Sequence, residues 1–197
     1  LDFSFSVKDL GRFRANIYKQ RGSYAAILRY VPFELPQYTE LGIPEEVMKL
    51  SENKSGIVLI TGPANSGKST TLSCIIDKIN KTKNGHIITL EDPIEFLHRH
   101  DKCLISQREI NIDTYSYIDA LRAALRQSPD VILLGEMRDY ETISTSMTAA
   151  ETGQLVLSTL HTLGAASTVD RIIDVFPINQ QHQIRIQLSM VLGAVVS

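Results

Sequence analysis

Tryptophan is absent from this chain, and cysteine occurs only at positions 74 and 103. Two cysteines without Cys-x-x-Cys spacing exclude a zinc cluster and a disulfide framework, and they make a reducing compartment the default. Long apolar runs are missing too: no stretch reaches the roughly eighteen apolar residues that a membrane span needs. The opening residues mix charge with aromatics and hold no apolar core, so no secretory leader is expected there. Neither sign of charge is in excess. Twenty Lys and Arg against 22 Asp and Glu leave a net charge of −2 at pH 7, which gives no electrostatic argument for a nucleic-acid partner. The remaining composition, 43% hydrophobic and 21% charged, is that of a globular protein large enough for one core domain and a smaller piece. The chain lacks an initiating Met and ends within the apolar run Val191 to Val196, so it is expected to be part of a longer protein.

Against those absences stands one complete motif. Gly62-Pro63-Ala64-Asn65-Ser66-Gly67-Lys68-Ser69-Thr70 has the form G-x-x-x-x-G-K-[ST]. The run Gly56 to Thr61 before it reads as a strand, and Thr71 to Ile76 after it can wind as a helix, the context that makes the pattern a phosphate-binding loop. Glycines at 62 and 67 let the backbone wrap a polyphosphate with its N–H groups turned inward at a helix N-terminus. Lys68 is expected to neutralise the β- and γ-phosphates, and the Ser69 hydroxyl to ligate Mg²⁺. A nucleoside triphosphate is therefore the expected ligand.

Along the chain, Arg12 to Tyr18 alternates, as does the run ending Ile27 to Val31, and Arg21-Gly22-Ser23 reads as the turn of a β-hairpin between them. Pro32, Pro36 and Pro44 interrupt the next stretch, and residues 32–43 read as an interdomain linker. From residue 56 onward strands alternate with helices: strand 57–61, helix 68–81, strand 86–91, helix 116–126, strand 131–135, helix 139–151 and strand 154–160. Helices near 164–174 and 180–196 close the chain. Such alternation predicts an α/β fold with a largely parallel sheet covered on both faces.

Ligands of such a sheet bind at the C-terminal ends of its strands. Pro129 to Glu136 is a buried-strand run ending in an acid, so Glu136 is the candidate base that activates water. Gly135 occupies the usual Walker B Asp position, which leaves direct metal ligation by this strand open. The cluster Glu91, Asp92 and Glu95 ends the strand 86–91, where such acids could hold a metal-bound or attacking water; a plain acidic turn at Pro93 fits equally. His161 ends a third strand at the same edge. Ser158 lacks a G-x-S-x-G elbow. His98 to Cys103 lacks paired ligand spacing and reads as a solvated loop.

Four blocks in order, GPANSGKSTT, ITLEDPIEF, LRQSPDVILLGEMRDYETI and TAAETGQLVLSTLHT, resemble the type II/type IV secretion ATPase superfamily. The run GEMRDYETI, the early RFRANIYKQRG and the tail from Ala165 look like its pilus-retraction branch. The resemblance implies a RecA-like P-loop ATPase domain over residues 44–197, truncated at its C-terminus, after part of a small PAS-like α+β N-terminal domain at 1–31. It implies that Glu136 is the catalytic glutamate, that Glu91 assists at the metal and water, and that His161 marks a His box near the γ-phosphate. Ser69, Glu91 and Glu136 become the metal-side residues, and ATP with Mg²⁺ the cofactors. Arg14 and Arg29, with Arg12 behind them, match arginines that the small domain supplies to the nucleotide. The implied protein is a hexameric motor powering pilus retraction and twitching motility. It would be cytoplasmic, without a transmembrane segment, and would dock on an inner-membrane platform protein. Pilus-assembly and type II secretion relatives usually carry a four-cysteine zinc element past the His block.

Two other classes compete. A nucleic-acid translocase calls for a basic, aromatic-studded groove, which the charge balance does not encourage. A GTP-dependent switch calls for Asn-Lys-x-Asp, and neither Asn53-Lys54 nor Asn80-Lys81 carries the Asp.

Overall fold

In the computed structural model, which describes residues 1–8, 10–31 and 34–197, the strands divide between two sheets. The first is antiparallel and joins β1 (Asp2–Val7), β2 (Gly11–Gln20) and β3 (Ser23–Val31). The second runs β6-β5-β7-β8-β4-β9 with every neighbouring pair parallel. Its strands are β4 (Gly56–Thr61), β5 (Gly85–Glu91), β6 (Cys103–Glu109), β7 (Val131–Leu134), β8 (Leu155–Leu160) and β9 (Leu192–Val196). Between them lie α1 (Glu45–Met48), α2 (Lys68–Thr82), α3 (Tyr117–Ala124), α4 (Tyr140–Glu151), α5 (Ala165–Asp174) and α6 (Ile178–Val191).

Strand periodicity explains the layers. Ile57 and Leu59, Ile88 and Leu90, and Ile132 and Leu134 point to one face, where they pack with α3, α4, α5 and α6. The intervening Val58, Ile60, Ile87, Val131 and Leu133 point to the other face, against α1 and α2. All residues of β4, β7 and β8 are buried, as expected where helices cover both sides of a parallel sheet. Burial also pushes the Cys74 thiol up to about 11, which leaves it a small apolar packing residue.

Three elements differ from the expectations. A third strand, β1, completes the hairpin sheet, because Phe3-Ser4-Phe5-Ser6-Val7 alternates and pairs along β2. The segment expected as a solvated loop at 98–103 leads into β6, whose Cys103 and Ile105 turn inward while Leu104 stays exposed. That loop is also tied down, since Asn80 Oδ1 accepts from the Asp101 and Cys103 backbone N–H groups. Finally, the helix expected to run to 196 stops at Val191, and Leu192–Val196 becomes an edge strand on β4. A glycine inside a Val-rich run favours the ladder over another helical turn.

Of the expected linker, Pro32 and Phe33 lie outside the described residues. Farther along, Leu35, Tyr38 and Ile43 pack against the α2 face of the core, so this stretch is docked. The antiparallel sheet turns Arg12, Arg14 and Arg29 toward the parallel sheet's C-terminal edge, where Arg12 pairs with buried Glu109 at 3.3 Å and Arg29 with Glu95 at 3.5 Å. Its other face carries the aromatic series Phe3, Phe5, Phe13 and Tyr30. Among the described residues no helix is long and apolar enough to cross a membrane.

Candidate active site

The loop between β4 and α2 is built around left-handed backbone. Gly67, the N-cap of α2, has φ +90°, a conformation that glycine adopts without strain, and Asn65 reaches φ +61°. Lys68 starts the helix with 8% of its surface exposed, and its ammonium donates to Gly62 O at 3.0 Å and Pro63 O at 2.6 Å. The charge is thus held at the loop mouth, where a phosphate would meet it.

A cleft of about 260 Å³ opens beside this loop. Lys68, Ser69, Glu91, Glu136, His161 and Arg29 all line it, although they come from four strand ends or loops and from the hairpin sheet. Arg14 does not; it lines an adjoining cavity between the two sheets, together with Arg12 and Glu109. Ser158 is fully buried within β8 and cannot serve as a nucleophile.

The β7 end is pinned from both sides. Gly135 N–H donates to Leu90 O at 2.8 Å, and the Thr159 hydroxyl donates to Gly135 O at 2.6 Å. A Cβ at 135 would approach the Tyr117 hydroxyl to 2.7 Å, so close packing accounts for glycine where an Asp is commonly found. Glu136 follows, its side chain only 16% exposed. Its Oε2 faces the Arg138 Nε and, at 3.7 Å, the His161 Nε2, yet it accepts no hydrogen bond of good geometry. Oε2 is closed off from solvent behind Arg138, so a water in the cleft would have to be met by the other oxygen, Oε1.

Glu91 is held differently. Its Oε1 accepts from the Thr89 hydroxyl at 2.6 Å and from Gln107 Nε2 at 3.3 Å. Desolvation pushes its carboxyl up from the ordinary value, and these hydrogen bonds offset only part of that. Burial, followed by the charges of Glu136, Asp92 and Glu91, also pushes the Tyr117 phenol up, so it remains a donor at neutral pH. Tyr117 and Gln107 have no motif-level signal and come in only by approach across elements, whereas Thr89 and Arg138 lie two residues from Glu91 and Glu136 within the quoted blocks.

The raised Glu91 carboxyl has a stability consequence. Folding raises its pKa, so its contribution is fully present below the ordinary carboxylate range and is lost as pH rises through the folded value. Glu91→Gln cannot ionise. Its melting temperature should exceed the parent's at pH 8 by about 2–4 °C, the shift that roughly 1 kcal/mol makes in a domain of this size, and by less at pH 4. Calorimetric melts at the two pH values check this; a gap independent of pH would show that desolvation of the carboxylate is not the cause.

Apart from the His161 imidazole, the side chains of the cleft that could meet a cation present oxygen, among them the Ser69 hydroxyl and the carboxylates of Glu91 and Glu136. Hard oxygen donors suit Mg²⁺. Among the described residues no three His, Cys, Asp or Glu side chains gather closely enough to hold an ion by themselves, so phosphate and water oxygens would have to complete its shell. On the other side of Gly67 lies a cavity of about 340 Å³ with Ile43, Val47 and Val196 in its wall beside Thr70 and Thr71.

Comparison with known proteins gives a consistent family picture. The sequence profile described as "Type II/IV secretion system protein" matches residues 26–196. A Pseudomonas aeruginosa protein named "Type IV pilus retractation ATPase PilT" is 50% identical over 196 residues, covering 100% of this chain and 57% of that protein. A Neisseria gonorrhoeae "Twitching motility protein" is 51% identical over 197 residues, covering 100% of this chain and 53% of that one. The chain thus spans about half the length of these relatives. Among solved structures, the pilus retraction motor PilT with bound ADP superposes with a TM-score of 0.95 at 56% identity, covering 99% of this chain and 57% of that one. The Legionella pneumophila ATPase DotB superposes with a TM-score of 0.89 at 33% identity, over 99% and 56% of the two chains.

Proposed function

Since the chain belongs to the type II/IV secretion system protein family, we propose that it is the catalytic part of an ATP-hydrolysing motor that powers type IV pilus retraction. The observation that carries this reading is the single cleft that gathers Lys68, Ser69, Glu91, Glu136, His161 and Arg29 beside the phosphate loop. The names of the two curated relatives and the ADP-bound relative point the same way.

In this reading Gly62 to Thr70 wraps the α- and β-phosphates with backbone N–H groups, and Lys68 exchanges its loop carbonyls for the β- and γ-oxygens. The apolar wall formed by Ile43, Val47 and Val196 receives the nucleoside. Ser69, Glu91 and Glu136 are the residues that would hold Mg²⁺, which would supply neutralisation of phosphate charge. Glu136 holds the attacking water with the oxygen that does not face Arg138, while Glu91 and His161 orient that water and the γ-phosphate. The new bond forms between water oxygen and γ-phosphorus as the bond to the bridging oxygen breaks. ADP leaves with the bridging oxygen, and the water proton passes to Glu136. Arg29 stabilises the charge that develops on the transferring group. The hairpin sheet and the core act as two domains whose closure brings this arginine in. Six copies in a ring, docked on a membrane platform protein, would convert such closure into mechanical work.

Lys68→Ala in the full-length protein tests the reading. Nucleotide affinity should fall about 10- to 100-fold, the loss expected for hydrogen bonds to a charged group. Cells carrying only this variant should keep surface pili yet fail to retract them. Normal twitching would refute the proposal, and a strain without pili would move it to pilus assembly.

A further inference from the structure

Glu136, Arg138, Thr159 and His161 form a shared wall. They line the nucleotide cleft on one side and a second cavity, of about 320 Å³, on the other. Arg171 of α5 and Val175 just beyond that helix close its far side. Arg138 and Arg171 bring positive charge there, against the single carboxylate of Glu136, which Arg138 already faces. Arg171 takes part in none of the ion pairs among the described residues. Its helical neighbours Asp170 and Asp174 do not line the cavity.

We propose that this second cavity is an exit subsite for inorganic phosphate, with Arg171 as its anchoring cation. The inference rests on the ATPase reading of the adjoining cleft. In an in-line displacement the attacking water approaches γ-phosphorus from the side opposite the leaving oxygen. The phosphate loop grips the leaving nucleotide, so the water side is the side of Glu136 and His161. The phosphoryl group inverts toward that side as the new bond forms, and the freed phosphate starts its departure against the shared wall. ADP on the loop obstructs the opposite direction. Beyond the wall, a planar guanidinium without a protein partner matches two phosphate oxygens at once.

The test is a titration of inorganic phosphate into the ADP complex of the full-length protein, followed by calorimetry. Arg171→Gln should weaken phosphate binding at least about tenfold, the equivalent of one lost charge-assisted hydrogen bond, while ADP affinity stays unchanged. Arg171→Lys, which keeps the charge without the fork, should recover part of the loss. Equal phosphate affinity in parent and Arg171→Gln would overturn the proposal, because a phosphate resting on Lys68 is blind to Arg171. Parallel losses of ADP and phosphate affinity would overturn it as well. A parent protein that binds ADP but never releases phosphate from ATP would instead sink the ATPase reading, and this inference with it. The parent control alone separates the two failures.

Discussion

Glu136→Gln is expected to lower ATP turnover by about 10²- to 10⁴-fold, the range for losing a positioned general base, with nucleotide affinity preserved within a few-fold. The substitution keeps the side chain's size and its position at the end of β7, pinned there through Gly135 to Leu90 and Thr159. It removes the capacity to accept the water proton and, with it, the charge that faces Arg138. Arg138 is 74% exposed in its side chain, so the loss of that pair is a small effect beside the loss of the base. Steady-state phosphate release measured beside equilibrium binding of a fluorescent ATP analogue reads both quantities. Wild-type turnover in this variant would mean that Glu91 or a chain of waters is the proton acceptor. A fall in affinity matching the fall in turnover would mean that Glu136 serves ground-state binding instead.

Those parts of the site that lie close together along the chain are legible in the sequence. The phosphate loop is one uninterrupted segment, and its strand and helix are strongly apolar, so Lys68 and Ser69 follow from spacing alone. Glu91, Glu136 and His161 are legible for a different reason: a parallel sheet brings its strand ends to one edge whatever its strand order. The short edge strands are not legible. Cys103–Glu109 carries Gln, Arg and Glu, which blurs its alternation, and Leu192–Val196 follows directly on a helix with only Gly193 to mark the change. Tyr117 and Gln107 leave no trace in any motif because their contacts join residues of different elements, as when Gln107 of β6 meets Glu91 of β5. No local pattern encodes such an approach. The same limit applies to the hairpin arginines, whose alternation places them on one face without saying how far each one reaches.

That reach sets the second large effect. Arg14 and Arg29 sit directly opposite each other in the β2–β3 register, and like charges so placed destabilise the pair unless an anion lies between or beyond them. Only Arg29 lines the cleft with Lys68 and Glu136, whereas Arg14 lines the adjoining cavity. Arg29 is 59% exposed in its side chain and holds Glu95 at 3.5 Å, a surface pair weak enough to be exchanged for a phosphate. Arg29→Ala in the full-length protein should therefore cut turnover by a factor on the order of 10³, the lower end for a lost finger arginine, with ATP binding within a few-fold of normal. Arg14→Ala should cost less, because its first effect is to relieve repulsion of Arg29. Paired measurements of turnover and affinity in both variants decide the matter. If Arg14→Ala cut turnover as deeply as Arg29→Ala, closure would have to carry both arginines to the phosphates. If neither variant changed turnover, the hairpin sheet would be a structural edge, and domain closure could not be what completes the site.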